Sequence, residues 1–247
     1  MLKYLAGEIF RIAHKKSLYV YFASVAVFYL IISFVRSGGF GPQSAVSDAF
    51  LFFGYLPVIA GGFMFQAVYA DDLNSKNLAT LIGFSLGKVK IVTAKLALTV
   101  LFCAAVYSAA PLIICAAHAA FGHAAGTGGL RMIYSLSLKY LLATVGCSAL
   151  AATAVYGTQK PTFAFVLYIL LALNIIGGLV TLLVSGTLGA GAASFVAGRL
   201  FSGVTDRILE GVTGGQNPAR AAVEYLAYVA VASAASIAAF MKKETEL

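Results

Sequence analysis

Charge is what this chain has least of: 17 Lys or Arg and 9 Asp or Glu in 247 residues, 11% in all, where an average soluble domain carries roughly a quarter. That scarcity excludes a soluble enzyme and a disordered tail. The net charge of +8 is spread over short stretches between apolar blocks, so it excludes a nucleic-acid binder as well and speaks of topology first. Tryptophan is absent and cysteine is confined to Cys103, Cys115 and Cys147. All three fall in apolar stretches with no CxxC or CxxH spacing, which excludes a disulfide scaffold and leaves no metal set. No GxxxxGK[ST] phosphate loop occurs, so the chain cannot hydrolyse ATP by itself. Nor is there an HExxH, a GxSxG or a pair of intramembrane aspartates of the kind an intramembrane enzyme uses; no catalytic residue is assigned.

What the chain does have is hydrophobic length. Apolar residues make up 61% of it and the mean hydropathy is +0.92, in runs too long and too many for one core. The reading is an all-α integral membrane protein forming a single transmembrane domain, residues 1–247. A crossing helix needs about 20 mainly apolar residues, and six segments qualify: 17–35, 49–70, 92–117, 133–156, 161–184 and 221–241. The first run is followed by Arg36, Ser37 and two glycines with no small-x-small cleavage site, so it is read as an anchor and not a signal peptide. Six spans put both termini on one side. Sorted by connection, that side holds Lys3, Arg11, Lys15, Lys16, Lys76, Lys88, Lys90, Lys95, Lys160, Lys242 and Lys243, and the other only Arg36, Arg131, Lys139, Arg199, Arg207 and Arg220. The positive-inside rule then predicts a multi-pass protein of the cell membrane with cytoplasmic termini. Between spans four and five only Gly157 to Lys160 turn the chain, with Pro161 suited to the first turn of the next helix.

Three segments are neither spans nor plain loops. In residues 2–14, Leu2, Leu5, Ile9 and Ile12 make an apolar stripe opposite Lys3, Arg11 and Lys15, which predicts an interfacial amphipathic helix. The inner loop 71–91 begins with Asp71, Asp72 and Asn74, which favour a helix start; Leu78, Leu81 and Ile82 form a short stripe, and Gly83 can close the helix. In the outer loop 185–220, Ala197, Leu200, Phe201, Val204, Ile208 and Val212 recur at helical spacing, with Arg199, Asp206, Arg207 and Glu210 largely opposite. One short helix is expected there, lying at the outer interface or dipping back into the bundle.

Taken together, the N-terminal stripe, the six spans, the inner helix from Asp72 and the long connection before the last span resemble the permease subunit of an ABC-2 type exporter, over the whole chain. The resemblance sets the acidic position of the family's coupling stretch at Asp72, its short helix at Leu73 to Ile82, its turn at Gly83 to Gly87 and its lysine at Lys95. Two positions depart from the family pattern: Lys76-Asn77 stands where a small pair is usual, and the turn carries Ser85 and Gly87 in place of proline. The resemblance implies that Asp72, Lys76, Leu78, Leu81, Ile82 and Gly83 couple the chain to a cytosolic ATPase subunit. ATP and Mg2+ would then be bound by that partner and no cofactor by this chain. It further implies a second permease chain, identical or different, around a central pathway in the lipid bilayer.

Among polar residues inside spans, which are functional candidates by default, Lys139 either faces the bundle, meeting an anionic substrate or a carboxylate of the outer loop, or snorkels outward. Lys95 is expected to snorkel to the headgroups or hold the coupling loop. Asn174, Thr181 and Ser185 in span five and Gln66 in span two suit interhelical hydrogen bonds or substrate contact; Lys139, Asn174, Thr181 and Gln66 are the candidate pathway residues. His118 and His123, five apart, are poorly spaced for a shared metal. The leading expectation is outward movement of a hydrophobic or amphipathic compound, such as an antimicrobial peptide or drug. The alternative is an ion-gradient-driven transporter, which would want a buried carboxylate or an unwound helix; no Asp or Glu lies deep in a predicted span, which counts against proton coupling.

Overall fold

A computed structural model describes residues 2–37, 44–70, 87–120, 125–214 and 217–242, and every described element is helical. α1 (Leu2–Ala13) and α2 (Lys16–Ser37) come first. α3 is the continuous helix Ala45–Tyr69, which widens to π-helix at Pro57–Gly61 and Gln66–Ala70. There follow α4 (Lys88–Ala120), α5 (Thr127–Thr158), α6 (Pro161–Ala172), α7 (Ile175–Leu188), α8 (Ala190–Arg199), α9 (Phe201–Thr213) and α10 (Pro218–Lys242). The inner loop, with Asp72, Lys76, Leu78, Leu81, Ile82 and Gly83, lies outside the described residues apart from the start of α4, as does His123.

Four helices, α3, α4, α5 and α10, are long and apolar enough to cross a membrane, and α6 with α7 makes a fifth if the pair is counted as one span. The protein is therefore membrane-embedded. α2 carries a shorter apolar stretch, Leu18–Ile31. The fifth segment departs from expectation: it is not one straight helix over 161–184 but a pair bent by 62°. The bend sits at Asn174, whose φ of 55° is left-handed; asparagine enters that region at less cost than other side chains. The short turn before α6 is as expected, with Gln159 left-handed at φ 55° and Pro161 in the first turn.

α5 is the hub, touching α3, α4, α6, α9 and α10. Small buried residues along it, among them Ser135, Ser137, Thr144, Gly146, Ser148, Ala151 and Ala152, allow backbones to approach closely where lipid supplies no hydrophobic drive between helices. The hydroxyls of Ser135, Thr144 and Ser148 bond the carbonyl four residues back, which keeps polar groups satisfied without water. α3 and α6 meet where the Tyr168 hydroxyl donates to the Pro57 carbonyl at 2.6 Å. Gly61 makes room for it, since a Cβ there would lie 2.0 Å from that hydroxyl oxygen.

One end of the bundle, here the near end, holds α1, the start of α4 and the last turns of α10; the far end holds the start of α5 and of α10. α1 has the expected stripe: Ile12 is fully buried, Leu5 and Ile9 pack beneath it, and Phe10 is exposed. Lys95 does not snorkel. It is 2% exposed and its Nζ lies 2.9 Å from Glu8 Oε2, while Arg11 Nη2 holds the same oxygen at 2.8 Å. The reason is geometric: Glu8 is in reach on the docked α1, and a buried ammonium is stabilised by a paired carboxylate. Burial raises the Glu8 carboxyl, but the bond from Arg11 and the charge and bond of Lys95 outweigh it, so the group sits below its ordinary range.

Candidate functional site

The connection between α7 and α10 is where the structure adds most to the expectation. Residues 185–220 do not form one short helix: α7 runs on to Leu188, Gly189 (φ 86°) turns the chain, and α8 and α9 form a hairpin about Leu200. The turn is tight because Gly203 has no side chain; a Cβ there would sit 2.2 Å from the Ala197 carbonyl oxygen. Of the two placements expected from the sequence, the hairpin adopts the one inside the bundle. The Phe201 ring lies against Gly146, where a Cβ would come within 1.9 Å of it, and Gly146 is about 28 Å along α5 from its start at the helical rise per residue. At the other end of α9, Arg131 Nη2 donates to the Val212 carbonyl at 2.8 Å. α9 thus starts near mid-depth and climbs to the far end.

Between this hairpin, the Asn174 break and α5 lies a cavity of about 460 Å3, and beside it a second of about 680 Å3; Asn174, Gly177, Leu200, Ser202 and Asp206 line both. The first is walled mainly by apolar groups, including Leu150, Leu171, Ile176 and Phe201, and adds Lys139, Tyr140, Thr205 and Tyr228 to the polar residues the two share. The second adds Thr181, Ser185, Arg207 and Glu210. The second cavity thus carries more charged side chains than the first, though apolar surface predominates in both.

At their junction Lys139 Nζ pairs with Asp206 Oδ1 at 2.5 Å and stands 5.0 Å from the Tyr140 ring centre. The lysine faces the bundle and takes the carboxylate of the α7–α10 connection, one of the two alternatives its position allowed. The lysine side chain is 17% exposed and the aspartate 50%, so the pair is half-solvated and worth about 1 kcal/mol or less. The first turns of α7 and α9 both open onto the chamber, bringing N-H groups without intrahelical partners. Asn174 makes no side-chain cap to α7; its Oδ1 instead covers Gly177, 2.2 Å from where a Cβ would be.

Three of the four candidate pathway residues therefore meet here, Lys139 and Asn174 in the first cavity and Asn174 and Thr181 in the second. Gln66 does not: it is exposed on the near-end π-turn of α3, away from the chamber. Sequence reasoning missed Ser202 and Thr205 and did not assign Asp206 to a site. Their spacing, with Ser202 and Asp206 one turn apart, carried the signal, but only the buried seat of Phe201 gives that face something to line.

A second polar cluster joins α3 and α4 at the far end. Asp48 is 1% exposed and lies in α3, one turn inside its far end, with Oδ2 3.5 Å from Nε2 of the fully buried His118 of α4. Span two begins earlier than 49, so a carboxylate expected in the connection is inside the bundle. Compared with protein-family models, with curated proteins and with solved structures, the chain matches none of them.

Proposed function

We propose that this protein is the permease subunit of an ATP-driven exporter of ABC-2 type, moving a hydrophobic or amphipathic compound outward by alternating access. The observation that carries the reading is the two-part chamber between the broken α6–α7 pair, the α8–α9 hairpin and α5. In this reading α2 is the first of six spans and α6 with α7 the fifth, the near end is cytoplasmic, and the far end faces out, as the distribution of Lys and Arg favours. A cytosolic ATPase docks at the inner loop from Asp72 to Gly83 and supplies ATP and Mg2+. A second permease chain completes the pathway. α1, tied through Glu8 to Lys95 near the start of α4, passes displacement of the docking loop into the bundle.

The chain's own residues do the following. The apolar wall takes the tail of the substrate and excludes water. The Lys139–Asp206 pair closes the junction of the two cavities, and because it is half-exposed its opening costs about 1 kcal/mol, which a polar headgroup can offset. The hairpin, seated on α5 through Phe201 at Gly146 and the Arg131–Val212 bond, moves as the gate. The experiment is purification of the tagged chain in mild detergent with identification of bound subunits and an ATPase assay. A stoichiometric Walker-motif subunit, lost on Asp72→Lys or Leu78→Ser, supports the reading.

A second reading has a specific observation in its favour. The Asp48–His118 pair and the break at Asn174 are what an ion-coupled carrier would use. Substrate flux in liposomes driven by a proton gradient without any ATPase, and abolished by Asp48→Asn, would replace the exporter reading.

A further inference from the structure

We propose that the far end of α10 carries a binding site for an anionic phospholipid, with a headgroup seat on Arg199 and Arg220 and an acyl-chain groove below it. The proposal rests on the protein being membrane-embedded and not on the direction or energy source of transport.

The seat is defined by a charge imbalance. Glu224 holds three guanidinium groups: Arg207 on Oε2, and Arg199 Nη1 and Arg220 Nε on Oε1, each at 3.3 Å. One carboxylate balances one guanidinium, so two positive charges remain. An arginine cannot shed its proton, and each guanidinium brings five donors, far more than the carboxylate can accept. Arg207 is turned inward at 29% exposure, but the side chains of Arg199 and Arg220 are 48% and 76% exposed. Arg220 also sits in the first turn of α10, where the helix dipole disfavours a cation and favours an anion.

The groove is defined by what lies beneath. From Arg199 and Glu224 a cavity of about 290 Å3 runs past Ala227 and Tyr228 to Val231. Glu224, Ala227, Tyr228 and Val231 share one stripe of α10, so the groove extends about 10 Å toward mid-depth. Its floor is apolar except for the Tyr228 hydroxyl, which is occupied in donating to the Arg199 carbonyl at 2.5 Å. Charge complementarity selects an anion and the groove selects one with a hydrocarbon tail. Free phosphate satisfies only the first half, and a neutral lipid only the second.

The test uses the full chain in mixed detergent–lipid micelles, read by native mass spectrometry with phosphatidylglycerol or phosphatidylcholine. About 1 kcal/mol per arginine at a membrane surface predicts retention of phosphatidylglycerol over phosphatidylcholine by at least about tenfold. Arg199→Ala with Arg220→Ala removes that preference, leaving Arg207 on Glu224 to hold the hairpin. Val231→Trp, which fills the groove and leaves every charge in place, weakens retention of both lipids, so the proposal stays testable if the arginine variant fails to fold. Equal retention of the two lipids, a preference that survives loss of both arginines, or full displacement by soluble glycerol phosphate would overturn it.

Discussion

Replacing Gly146 with alanine tests the placement of the hairpin, because local and tertiary effects have opposite signs there. Within a helix, Gly to Ala is stabilising by about 1 kcal/mol from backbone entropy alone. At Gly146 the new Cβ would lie 1.9 Å from Phe201 Cζ, 2.2 Å from Cε2 and 2.9 Å from Cε1. Ordinary carbon contact begins near 3.5 Å, so the ring must retreat by about 1.5 Å. Tyr225, with its ring centre 5.6 Å away, and Tyr228, edge-on at 6.2 Å, restrict that retreat. Overpacking of this kind costs about 1–3 kcal/mol, leaving a net loss of up to about 2 kcal/mol after the propensity gain. Phe201→Ala alone empties the seat, and as the ring is only partly buried the cost falls near the lower end of the usual 3–5 kcal/mol. The double variant has no overlap to relieve, so it should be no less stable than Phe201→Ala alone, a coupling of about 1–3 kcal/mol in a double-mutant cycle. The assay is reversible unfolding in bicelles, followed by tyrosine fluorescence. If Gly146→Ala is as stable as the parent or more so, and the two substitutions simply add, then Phe201 does not sit against α5 and the hairpin lies elsewhere.

The remaining predictions concern the two ion pairs. Lys139→Met and Asp206→Asn should each lower stability by about 1 kcal/mol or less, with coupling in that range because Asp206 is half-exposed; a Lys139→Met variant that transports at the parental rate would remove the lysine from the pathway. For the Glu8 latch the sign follows from its lowered carboxyl. The unfolded chain binds a proton first, so the stabilisation is fully present above the ordinary value of 4.5 and is lost as pH falls through the lower folded value. A spin label at Ala6 should report α1 docked at pH 7 and at pH 5 and released only below 4.5, and Glu8→Gln should abolish the transition; release at pH 6 would show that the pair does not hold the helix.

Much of this architecture was legible in one dimension. Pro161 and the four residues before it marked a tight turn, and the structure has one. The spacing of Leu5, Ile9 and Ile12 marked the buried face of α1. The side of α9 bearing Asp206 and Glu210 was separable from the side bearing Val204 and Ile208, because helical period is a local property. Lys139 stood out because an ammonium inside an apolar run is costly wherever the run folds.

Partner choice is not local. That Lys95 meets Glu8 across 87 positions, that Asp48 meets His118, and that Asp206 meets Lys139 depends on which faces the helices turn to one another. So does the break at Asn174: its tolerance of a left-handed backbone was readable, but a straight helix through the same residues satisfies every sequence rule, and only the hairpin packed beside it leaves a chamber for the bend to line. Composition determined that the chain is a helical membrane protein, since 61% apolar residues cannot be hidden in one core and only helices or closed barrels satisfy a backbone in lipid. Tertiary structure alone decided that the connection after α7 dips inward, because a glycine at position 146 creates a seat for Phe201 only when α5 and α9 already lie side by side.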